Sequence, residues 1–105
     1  MANYERTSKT EGNDFLDRMK RLKQNQKDEI EEAVRFAKES DFGNMLVTYG
    51  MFLNSNDSVV NLIDGALRKK IITTDKHADE YGKGQDMYEE LHAELANTLE
   101  RLYNK

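Results

Sequence analysis

The sequence predicts an all-α fold, an antiparallel helical bundle of about four helices in long–short–short–long order. Three observations carry that reading. Apolar residues recur at alternating steps of three and four along most of the chain, which keeps them on one helical face. Proline, the commonest helix breaker, is absent. Clusters of Asn, Asp, Ser and Thr interrupt the pattern over stretches short enough to be turns. A mean hydropathy of -0.90 fits slender helices with wet outer faces, and the periodicity separates this chain from a disordered one.

Residues 1–12 are polar and aperiodic up to Gly12 and read as a flexible N-terminal arm, leaving residues 13–105 as a single helical-bundle domain. Asn13 or Asp14 then offers an N-cap to a first helix over about residues 14–39. Its stripe is Phe15, Met19, Leu22, Gln26, Ile30, Ala33 and Ala37, widened by Leu16, Val34 and Phe36. Gln24-Asn25-Gln26 is its weak point.

Ser40 or Asp41 caps a second helix over about residues 41–54, with Phe42, Met45, Leu46, Tyr49, Phe52 and Leu53 directed inward. Gly43 and Gly50 each destabilise it by about 1 kcal/mol relative to Ala, which implies a close helix contact or a marginal helix. Asn54-Ser55-Asn56-Asp57 reads as a turn into a third helix over about residues 57–71. That helix turns Val59, Leu62, Ile63, Ala66 and Leu67 inward, and Arg68-Lys69-Lys70 suit the negative end of its dipole. Thr73, Thr74 and Asp75 cap a fourth helix. Tyr88, Leu91, Leu95, Leu99 and Leu102 give it a narrow, coiled-coil-like seam. Gly82-Lys83-Gly84 either delays its start to near Gln85 or bends it.

Several chemistries are set aside by residue type. Without Cys there is no disulfide, thiolate metal site or cysteine nucleophile. Glu89 and His92 have the Glu-x-x-His spacing of carboxylate-bridged metal bundles, but His77 has Thr74 three residues before it, so the second unit is missing. No Gly-x-Ser-x-Gly elbow or phosphate-binding Gly-rich loop is present. Neither catalysis nor a cofactor or metal is expected. No apolar run approaches the roughly 18 residues of a membrane span, and Met1 to Arg6 lack the apolar stretch of a signal peptide. Cytoplasmic residence is the resulting expectation.

Binding is what remains. Phe42, Tyr49, Met51 and Phe52 make the second helix apolar on more than one face, so part of it is expected to meet another surface. Asp79, Asp86, Glu90 and Glu94 form an acidic row on the fourth helix. Either feature suits a protein partner, such as a nucleic-acid-processing or defence enzyme held by a small regulator or inhibitor. Size and an Asn/Lys-rich composition fit a bacterial or phage accessory factor, and an immunity-type bundle would look similar. Two alternatives stand beside this expectation. Arg18, Lys20, Arg21 and Lys23 together with Arg68, Lys69 and Lys70 would serve a small DNA-binding regulator, with the second and third helices as a helix-turn-helix unit. A net charge of -4 weighs against it. The leucine seam would alternatively pair two copies into a homo-oligomer.

Overall fold

A computed structural model of the chain describes residues 2–104, with side chains from residue 12 onward. It is all-α, with no strand among the described residues. Three helices replace the expected four: α1 (Ala2–Lys38), α2 (Phe42–Arg68) and α3 (Thr74–Tyr103). They lie side by side in an up–down–up bundle that measures 64 × 22 × 14 Å.

The expected second and third helices are one continuous α2. The turn assigned to Asn54-Ser55-Asn56-Asp57 does not form, and α1 supplies partners for two of its four polar side chains. Ser55 donates to Glu29 Oε1 at 2.7 Å, and Gln26 Nε2 donates to Asn56 Oδ1 at 3.4 Å. Tertiary hydrogen bonding here outweighs the local preference of these residues for turns. The backbone of α1 starts at Ala2 and passes through Gly12, while the side chains of residues 1–11 lie outside the described residues. Asp14, read as a cap, sits inside α1 and pairs with Arg18 at 3.2 Å. Neither Gln24-Asn25-Gln26 nor Gly82-Lys83-Gly84 interrupts its helix.

Both chain reversals use the same device. Ser40 and Lys70 are left-handed, with φ of 60° and 61°. Each is followed by an N–H that reaches back across the helix end: Asp41 N to Phe36 O at 2.9 Å, and Ile71 N to Ala66 O at 2.8 Å. These are Schellman closures, which satisfy carbonyls that a helix end otherwise leaves unpaired. Asp41 and Thr73 then cap the next helices by accepting from the N–H groups of Asn44 and Lys76.

The interior has two apolar parts. Toward the α1–α2 turn, Ile30, Ala33, Val34 and Ala37 pack with Met45, Phe52 and Leu95. Toward the α2–α3 turn, Phe15 and Met19 pack with Val59, Ile63 and Ala66. In the order of both helices, Gln26 on α1 and Ser55 and Asn56 on α2 fall between the two parts. Gly84 lies beside this layer, where a Cβ would make an ordinary contact 3.7 Å from Val59 Cγ1. Tyr88, Leu91 and Leu99 of the leucine seam pack against the first part, so most of the seam is spent inside the molecule.

Candidate protein-docking surfaces

From Phe42 to Asn56 no residue of α2 is charged, in a chain of which 34% is charged. The inner side of this stretch buries Met45, Thr48 and Phe52. At 3.6 residues per turn, the opposite side carries Gly43, Leu46, Val47 and Gly50, with Met51 at its edge. There Leu46 is 62%, Val47 64% and Met51 54% exposed. A Cβ added at Gly43 or Gly50 would meet nothing within 4 Å, so no close contact inside the molecule accounts for either glycine. The apolar surface continues at the helix start, where the Phe42 ring lies 5.4 Å from that of Tyr103. Tyr103 is fixed in turn by donating its hydroxyl to Ala37 O at 3.2 Å.

The expected docking residues therefore divide. Phe42 and Met51 are exposed, whereas Phe52 is fully buried and stacks on Tyr88 with ring centroids 5.4 Å apart. Tyr49 is half-buried, and its hydroxyl lies 3.0 Å from His92 Nε2. Burial, followed by the neighbouring Tyr88, raises the Tyr49 pKa above that of a free phenol. Spacing places Leu46 among the inward residues, and it faces out. Three consecutive apolar residues, Met45-Leu46-Val47, subtend too wide an arc of helix for all of them to point inward.

The acidic row divides as well. Asp79 lies 3.0 Å from Lys83 and 4.0 Å from Lys76, and its pKa is lowered chiefly by the hydrogen bond from Lys83. Asp86, Glu90 and Glu94 are exposed and make no ion pair with another described residue. Beside them, Glu80 is buried at the α1–α3 contact, 2.9 Å from Lys76 and 3.7 Å from Lys23. The hydrogen bond from Lys76 holds the Glu80 carboxyl below its usual value of 4.5, against the effect of burial. A depressed carboxylate pKa contributes stability above the unfolded value, and that contribution is lost as pH falls through the folded one. Thermal melts should accordingly show Tm dropping below about pH 4.5, with a smaller drop in Glu80→Gln. An unchanged acid dependence in that variant would show that Glu80 adds nothing.

The basic residues do not form one strip. Arg18, Arg21 and Lys69 line an open groove between α1 and α2. Lys23 turns instead to Glu80, while Lys20, Arg68 and Lys70 are exposed and do not line that groove. The helix-turn-helix unit expected at the Asn54–Asp57 turn is absent, since α2 runs straight through it. Among the described residues no group of three or more His, Asp or Glu side chains is placed to hold a metal ion. None of the described helices is long and apolar enough to cross a membrane.

No protein-family model matches the chain, and no curated protein or solved structure is similar to it.

Proposed function

We propose that this chain is a non-catalytic protein-binding module that docks on a partner protein through the outer face of α2. The observation that supports the reading is the exposed, uncharged apolar surface of Leu46, Val47 and Met51, extended by Phe42. Apolar side chains scattered singly are ordinary on a protein surface, but a contiguous group of them marks a contact. The absence of charge across the face matches the centre of a protein interface, where charged residues are depleted and aromatic residues and Met enriched. Exposed Gly43 and half-buried Gly50 leave a low backbone ridge, against which a partner's helix can lie closely. Such a module acts by covering a surface, as a regulator or inhibitor of the protein it meets.

The test is to immobilise the wild-type chain and a Leu46→Asp/Val47→Asp variant, and to pass an extract of the native host over both. The wild type should retain a protein in stoichiometric amount and the variant should not, while both melt at similar temperatures. Equal retention by both forms, or retention of nothing by the wild type, would refute the reading.

A further inference from the structure

The groove between α1 and α2 lies at the other end of the molecule from Leu46 and Val47. Its volume is about 810 Å³, and no residue of α3 lines it. Phe15, Leu22, Leu62 and Ile71 form its apolar floor. Arg18, Arg21 and Lys69 stand along it, and the one carboxylate among the described lining residues, Asp14, already pairs with Arg18 at 3.2 Å. Among the described lining residues, three cations stand against one anion, in a chain whose net charge is -4. From Asp14 to Asn25 the α1 wall runs about 16 Å, the length of three helical turns.

We propose that this groove takes an amphipathic helix of a partner protein, apolar on the side that meets Leu22 and Leu62 and rich in Asp or Glu along its flanks. Such a segment would fill the place of a fourth helix beside α1 and α2. Charge complementarity with Arg18, Arg21 and Lys69 selects acidic flanks, and the apolar floor selects a helix face rather than a phosphate backbone. Nucleic acid is further disfavoured because Phe15, the only aromatic residue among the described lining residues, is buried and presents no ring on which a base can stack. A second copy of this chain is a poor occupant, since the leucine face of its own acidic helix, α3, packs into its own core.

The probe is a synthetic helical peptide with Leu on one face and Glu on its flanks, followed by heteronuclear NMR and by fluorescence anisotropy. Two controls accompany it, a scrambled peptide of the same composition and one with Lys in place of Glu. The acidic amphipathic peptide should shift the resonances of Leu22, Asn25, Leu62 and Lys69, while the controls leave them in place. Arg21→Glu/Lys69→Glu, both at exposed positions, should weaken binding by about tenfold or more, and Arg21→Ala by less. Leu46→Asp/Val47→Asp should bind the peptide as the wild type does, which separates this site from the outer face of α2. Failure of the peptide to bind would overturn the proposal, as would equal binding of the scrambled control. Displacement of the peptide by duplex DNA, with a steep salt dependence, would overturn it in favour of a nucleic-acid groove.

Discussion

Phe52→Ala is expected to lower the unfolding free energy by about 3–5 kcal/mol, the range for removing a large aromatic side chain from a packed core. Phe52 is fully buried where all three helices meet, in one cluster with Ile30 of α1 and Leu95 of α3. Its ring lies parallel to Tyr88 within 8° and at a centroid distance of 6.1 Å from Tyr49, so its loss also removes two aromatic contacts. A domain of this size has about 5–15 kcal/mol in total, so the variant would sit near the edge of folding at body temperature. Urea titration checks this: the midpoint should fall while the slope stays unchanged. Leu46→Ala is the contrasting case. Only a few residues away but largely exposed, it should change stability by about 0.5 kcal/mol or less. Equal losses at the two positions would mean that the assignment of the inner and outer sides of α2 is wrong.

The second large effect is expected in the other part of the core. Ile63→Ala should cost about 2–5 kcal/mol, because Ile63 is fully buried with Phe15, Met19 and Val59. Its signature should differ from that of Phe52→Ala. The layer of Gln26, Ser55 and Asn56 is joined by polar contacts rather than by apolar packing. Native-state hydrogen exchange of Ile63→Ala should therefore lose protection first around residues 15–22 and 59–66. Phe52→Ala should lose it first around residues 30–37 and 88–99. Identical exchange patterns would show that the two parts open as a single cooperative unit.

Most of the fold was legible in the spacing of apolar residues. The α1 stripe is largely legible in its spacing: Phe15, Met19, Ile30, Ala33 and Ala37 are buried, and so is Gln26 in spite of its amide, whereas Leu16 is 56% exposed. Where the reading failed, local chemistry pointed one way and a distant partner the other. Asn54 to Asp57 is turn-like by composition, and nothing along the sequence reveals that Gln26 and Glu29 wait opposite Asn56 and Ser55. Gly82 and Gly84 looked like a break for the same reason, although the helix continues and Gly84 lies against Val59.

The surface was legible in residue type but not in pairing. Counting charges located the basic cluster on α1, yet only the fold separates Lys23, which turns to Glu80, from Arg18 and Arg21, which line the groove with Lys69. Helical spacing located the apolar residues of α2. It did not identify Leu46 as an outward one, because a helix apolar all round has no preferred inner side until its neighbours are in place.

The paired left-handed corners bear on how the molecule assembles. Ser40 and Lys70 each reverse the chain within a few residues, so α2 is shared by two antiparallel hairpins whose nearest partners are close in sequence. Neither corner requires distant segments to find each other first, and zipping can start from either end of α2. Only the docking of α1 beside α3 closes a long loop, a topology that favours rapid assembly over a search through slow intermediates.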